Sequence, residues 1–79
     1  MIYCENKIGR VLIDDEFNIG ATDESNLNFV KVILKGIQDK FAPENGSPTY
    51  ILADELEQFG FLLLDVQLPF QEQLDNVLY

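Results

Sequence analysis

The sequence contains no histidine, no tryptophan and a single cysteine, Cys4. Without histidine, Ser-His-Asp and Cys-His catalysis are excluded, and a Cys/His zinc site has too few ligands. One cysteine cannot form a disulfide framework. Long apolar runs are also missing: the longest uninterrupted one, from Phe61 to Leu64, is far short of the roughly 20 residues that span a bilayer.

The chain has 79 residues, of which 47% are hydrophobic. This length predicts one domain covering residues 1–79, and this apolar content is ordinary for a folded domain. A domain so small buries only about 60% of the surface of its unfolded chain, so association is a natural way to complete its core. A secretory signal is not recognisable at Met1–Glu5, and a lone cysteine suits a reducing compartment, so we expect a cytoplasmic protein.

Basic residues are few and unevenly placed. All five lie in the first 40 residues: Lys7, Arg10, Lys31, Lys35 and Lys40. With seven acids, residues 1–40 carry a net charge of −2, whereas residues 41–79 have seven acids, no base and a net charge of −7. Such a half repels phosphate and attracts basic protein surfaces. We therefore expect no direct binding of nucleic acid, no membrane binding, and a larger protein with a basic surface as partner.

The N-terminal third is predicted to begin with a β-hairpin. Its strands are Ile2–Glu5 and Arg10–Ile13, because Asn6 tolerates the positive φ of a tight turn, Gly9 permits a bulge, and the flanking residues are β-branched or aromatic. The acidic run 14–16 is expected to end the second strand, and 17–22 to form a connection.

The strongest helix signal runs from about Asn26 to Phe41, with Asp23 or Ser25 as N-cap. At about 100° per residue its polar side chains share one narrow arc, and apolar residues occupy about twice the width of an ordinary apolar stripe. This helix is therefore expected to be covered on more than one side.

A second helix is predicted from Ser47-Pro48, an N-cap followed by proline, to Gly60, with Leu52, Leu56 and Phe59 on its core face. A buried strand is then expected over 61–68, with Leu62, Leu64, Val66 and Leu68 on one side. A last short helix is expected from Pro69, with a strand as the alternative for this final segment. The order ββααβα defines a small α+β domain.

Catalytic and metal-binding candidates are weak. Cys4 has no histidine to activate it and is expected to be a buried apolar residue. Carboxylate pairs such as Asp14/Glu16 or Asp54/Glu57 need a partly dry pocket for acid–base work, which so short a chain rarely builds alone. The oxygen-rich loops at 14–18 and 23–26 lack the ligand spacing of an EF-hand. We expect no enzyme, no cofactor and no metal.

Two surfaces are candidates for binding. An acidic face is predicted around Tyr50, Asp54 and Glu57, spaced i, i+4 and i+7 on the second helix, where a partner's Arg or Lys would engage ring and carboxylates. The full set of predicted acidic-face residues is Tyr50, Asp54, Glu55, Glu57, Asp65, Glu72 and Asp75. The alternative for Tyr50 is packing of its ring on the rim of the core.

The second candidate surface is the wide apolar arc of the first helix. Its predicted contact residues are Phe29, Val32, Gly36 and Ile37, where glycine lets another backbone come close. Complete burial inside the monomer and a self-complementary patch forming a homodimer are the two interpretations.

The function expected first is a small acidic protein-binding module that occupies a basic surface, acting as an inhibitor that mimics nucleic-acid charge. In its short length, strong acidity and low content of Lys and Arg, the chain resembles small phage-encoded antagonists of bacterial defence nucleases. This is a similarity of composition and covers no particular residues. The alternative is a non-catalytic adaptor or assembly factor that works through the apolar surface of the first helix, with a homodimer as one form of this alternative.

Overall fold

A computed structural model describes residues 1–40 and 47–69 of the chain. Within these residues the fold is α+β, with four strands and two helices. The elements in chain order are β1 (Ile2–Glu5), β2 (Arg10–Ile13), β3 (Ile19–Ala21), α1 (Glu24–Lys40), α2 (Pro48–Gln58) and β4 (Leu62–Val66).

The strands form one antiparallel sheet in the order β3-β2-β1-β4. The predicted hairpin is confirmed, with Ile2 opposite Ile13 and Glu5 opposite Arg10. At its turn the Asn6 side-chain oxygen accepts the backbone N–H groups of Ile8 (2.9 Å) and Gly9 (3.1 Å). Asn6 therefore stabilises the turn through its side chain and not through the positive φ expected for it, since Phe17 and Gly60 are the described residues with positive φ.

Local capping signals define the helix ends. Asp23 caps α1 by accepting the backbone N–H of Ser25 at 2.8 Å, so the helix begins two residues before the predicted Asn26. Ser47 caps α2 ahead of Pro48, as predicted.

The C-terminal end of α2 is a Schellman motif. The N–H of Phe61 donates to Leu56 O (3.0 Å) and that of Gly60 to Glu57 O (3.1 Å). Gly60 has the positive φ, +96°, that this motif requires, in agreement with its predicted place just beyond the helix.

The core lies between one face of the sheet and the two helices, with α1 on β2 and β3 and α2 against β4. Its buried apolar residues are Ile2, Cys4, Val11, Ile13, Val30, Leu34, Ile37, Leu52, Ala53, Leu56 and Phe61. Cys4 is thus a core residue, as expected. Phe59 is more than half exposed, so its prediction as a core-facing residue is wrong.

The segment 17–22, predicted as a connection, contains β3, which pairs with β2. The preceding turn is a three-residue hairpin loop in which Phe17 takes a positive φ of 64° and its N–H donates to Asp14 O at 3.0 Å. The missed strand has only three residues, one of them Gly20, so it is too short to show the alternation of apolar and polar residues that predicts a strand.

β4 is shorter than predicted and lies at the edge of the described sheet, not in its middle. Cys4 pairs with Leu63 and Tyr3 with Asp65, so Leu64 is an extra residue in a β-bulge. Leu63 and Val66 therefore pack against the core, while Leu62 and Leu64 are exposed. The prediction that Leu62 and Leu64 share a buried side is wrong.

The predicted last helix, and its alternative as a strand, lie in residues 70–79, outside the described part of the chain. Neither described helix is long and apolar enough to cross a membrane.

Candidate functional site

Three predicted acidic-face residues are exposed side by side on α2. Tyr50, Asp54 and Glu57 fall within about 60° of arc at helical spacing. Tyr50 is 55% exposed, so more than half of its surface is in contact with solvent.

No cation of the described residues neutralises this face. The ion pairs of residues 1–40 and 47–69 join the N-terminal amine to Asp15 (2.7 Å) and Arg10 to Glu5 (3.6 Å), both far along the chain from α2. The helix has no basic residue in its last turn, where the negative end of its dipole lies. Carboxylates at Asp54 and Glu57 therefore add to a negative field instead of balancing it.

Beside the acidic face, α1 and α2 enclose an open cleft of about 270 Å³. Val32, Ile33, Gly36, Ile37 and Lys40 line it from α1, and Ile51 and Glu55 from α2. Its floor is apolar, and its charges, Lys40 and Glu55, come from opposite helices. The structure thus brings together three of the four residues predicted for the apolar surface of the first helix.

Those four residues differ in exposure. Val32 is 71% exposed, whereas Ile37 belongs to the core and presents only an edge to the cleft. Phe29 lies beyond the cleft, where its ring meets Phe59 edge-to-face at 5.2 Å and Phe61 in a stacked contact at 6.3 Å. The wide apolar arc is therefore partly covered by α2 and partly open to solvent.

The other predicted acidic-face residues do not join one surface. Glu55 is half-buried and lines the cleft instead of the fully exposed side of α2. Asp65 pairs opposite Tyr3 on the sheet face that points away from the helices, where it accepts a hydrogen bond from Gln67 (3.1 Å). Glu72 and Asp75 lie outside the described residues.

Two of the residues considered for catalysis, Cys4 and Asp14, have shifted pKa values that reflect their roles in the fold. Burial raises the pKa of the Cys4 thiol to about 11, which keeps it protonated and unreactive at neutral pH. Hydrogen bonds, first of all from the backbone N–H of Asn18, lower the pKa of Asp14, so this carboxylate organises a turn. Among the described residues, no group of three or more Cys, Asp or Glu side chains could hold a metal ion.

Sequence reasoning missed the part of α2 that completes the cleft. Ile51 and Glu55 are one helical turn apart, a spacing that places them on one side of the helix, but only the packing of α1 on α2 brings that side to Gly36. No protein-family model, no curated protein and no solved structure matches this chain.

Proposed function

We propose that this chain is a non-catalytic protein-binding module that occupies a basic surface of a larger protein through the acidic face of α2. The observation that carries the proposal is the exposed row of Tyr50, Asp54 and Glu57, whose carboxylates make no ion pair among the described residues. Unpaired charges on one exposed face steer association with an oppositely charged surface and set its orientation.

The partner surface in this proposal is one that otherwise holds DNA or RNA. The carboxylates of Asp54 and Glu57, at i and i+3 spacing, present two fixed negative charges on one side of the helix, as neighbouring phosphates do along a nucleic-acid strand, and the net charge of −9 disfavours binding of phosphate by the chain itself. Binding of the module would then exclude nucleic acid from its partner, which makes it a competitive inhibitor.

The experiment is capture from a nuclease-treated bacterial lysate on the immobilised chain, followed by direct titration of the purified partner. Asp54→Lys with Glu57→Lys is expected to weaken binding at least about tenfold, and wild-type binding is expected to weaken steeply with salt. Glu16→Lys with Asp39→Lys is the matched control, because it changes the net charge equally on the β2–β3 turn and on α1.

Equal binding by the α2 reversal and the wild type would contradict the proposal. Labelled duplex DNA or RNA tests the inhibitory part: the wild type should displace it from the partner, and a partner that holds the module and nucleic acid together would exclude charge mimicry.

The second candidate function is an adaptor or assembly factor that acts through apolar surface. The specific observation in its favour is Val32, which is 71% exposed at the mouth of the cleft. In this case binding persists at high salt, and Val32→Glu, rather than the acidic-face variant, removes it.

A further inference from the structure

Gly36 lies in the interior of α1, yet nothing in the described fold requires a glycine there. A Cβ built at this position meets no atom within 4 Å among the described residues outside its own helical turns, and its φ is not positive. Gly9 is different, because a Cβ there would come within 2.3 Å of Thr22 Oγ1. Since glycine weakens a helix interior and serves no contact with the rest of residues 1–40 and 47–69, the space beside position 36 is open within the described fold.

The surroundings of Gly36 define what fits into this space. Val32, Ile33 and Ile37 flank it on α1, and Ile51 faces it from α2, so the floor of the cleft accepts an apolar side chain. The cleft of about 270 Å³ is large enough for one aliphatic or aromatic side chain and too small for a folded element.

The charged residues beside the cleft indicate which charges the partner segment should carry. Glu55 lines the cleft itself, Asp54 lies about 100° around α2 from it, and Glu57 lies about 160° from it, away from the cleft. Lys40 is the cation at the cleft, on the opposite helix. A segment lying along α2 therefore meets carboxylates, and its own side chains on that side must be cationic.

We infer that the α1–α2 cleft receives an apolar side chain beside Gly36 from a basic amphipathic helix of the partner, whose Lys or Arg side chains contact Glu55 and Asp54. This inference rests on the proposed function and adds the class of segment that is recognised. It joins the apolar cleft to Asp54, the acidic-face carboxylate nearest the cleft, in one binding site.

The probe is a fluorescein-labelled synthetic peptide of about 18 residues, long enough to form a helix, with Leu at i, i+3, i+4 and i+7 spacing and Lys elsewhere. Binding is measured by anisotropy at physiological salt, and amide resonances of the full chain are followed by NMR. A second peptide keeps every Lys and replaces each Leu by Ser, which separates charge attraction from occupation of the cleft.

Gly36→Leu, which fills the cleft without changing charge, is expected to weaken binding of the Leu/Lys peptide roughly tenfold. Gln38→Leu is the matched control, because it adds the same side chain about 160° around α1 from Gly36 and should bind as the wild type does. The amide signals of Val32, Gly36 and Ile51 should shift with the Leu/Lys peptide and not with the Ser/Lys peptide. A melting temperature of Gly36→Leu at or above that of wild type would exclude loss of folding as the cause.

Three results would overturn the inference. If Gly36→Leu binds the peptide as tightly as the wild type while Asp54→Lys with Glu57→Lys does not, the acidic face binds without the cleft and only the proposed function stands. If the cleft signals shift with protein concentration alone and the chain sediments as a dimer, a second copy occupies the cleft. Loss of binding in Gly36→Leu but not in the charge reversal would instead retain the cleft and remove the acidic face.

Discussion

Asn6 and Asn26 exchange two side-chain hydrogen bonds between the β1–β2 turn and the first turns of α1. Asn6 Nδ2 donates to Asn26 Oδ1 at 3.0 Å, and Asn26 Nδ2 donates to Asn6 Oδ1 at 2.9 Å. Asn26 is only 3% exposed and lies on the buried side of α1, in line with Val30 and Leu34. This amide pair therefore connects α1 to the β1–β2 hairpin at the edge of the core.

Replacing Asn26 by Ala should destabilise the chain by about 2 kcal/mol, because Asn6 then keeps a part-buried amide that has lost its partner. Chemical denaturation measures the free energy of unfolding. Asn28→Ala, at an exposed position of the same helix, is the control and should change stability by less than about 0.5 kcal/mol. Equal effects of the two substitutions would mean that the pair contributes nothing.

Features set by a few neighbouring residues could be predicted from the sequence, and features set by pairing across the fold could not. The Asn6 turn, the Ser47 cap and the Gly60 helix end each depend on contacts within about five residues. The position of Asp54 and Glu57 on one exposed side of α2 could also be predicted, because it follows from helix periodicity. The bulge in β4 depends on which residues of β1 lie opposite it, and the cleft depends on how α1 packs on α2. Neither arrangement can be predicted from a local sequence pattern.

The bulge in β4 reverses which leucine is expected to matter for stability, because strict alternation would bury Leu62 and expose Leu63. Leu63→Ala should destabilise the chain by about 1 to 2 kcal/mol, because Leu63 packs against the core, while Leu62→Ala should change stability little, because Leu62 is 61% exposed. Thermal unfolding of both variants measures the difference. A larger loss in Leu62→Ala would place the opposite face of β4 on the core.

The two glycines compared above should respond to alanine with opposite signs. Gly36→Ala should stabilise the chain by about 0.5 to 1 kcal/mol, because alanine is the better helix former and meets open space. Gly9→Ala should destabilise it, since the new methyl group would collide with the Thr22 hydroxyl that accepts the Arg10 N–H at 2.9 Å. Denaturant midpoints test both, and a loss of stability in Gly36→Ala would show that an internal contact needs this glycine.

Burial of Cys4 gives stability a dependence on alkaline pH. The pKa of the thiol is raised from 9.0 to about 11 in the folded state, so the folded chain holds its proton where the unfolded chain releases it. The stabilisation is complete below pH 9 and is lost as pH rises toward 11. Cys4→Ala should therefore have a flatter stability profile over this interval, whatever its stability at neutral pH, and parallel profiles would contradict a protonated buried thiol.

The acidic face should reduce the stability of the helix that carries it. Glu57 lies in the last turn of α2, next to the negative end of the helix dipole, so Glu57→Lys should raise the free energy of unfolding by about 0.5 kcal/mol at low salt. Glu24→Lys makes the same change in the first turn of α1, where an acid is favourable, and should lower stability by a similar amount. Both effects should shrink in high salt because the exposed charges are screened. If Glu57→Lys instead lowers stability, Glu57 contributes to folding, and its unpaired charge no longer supports a role reserved for binding.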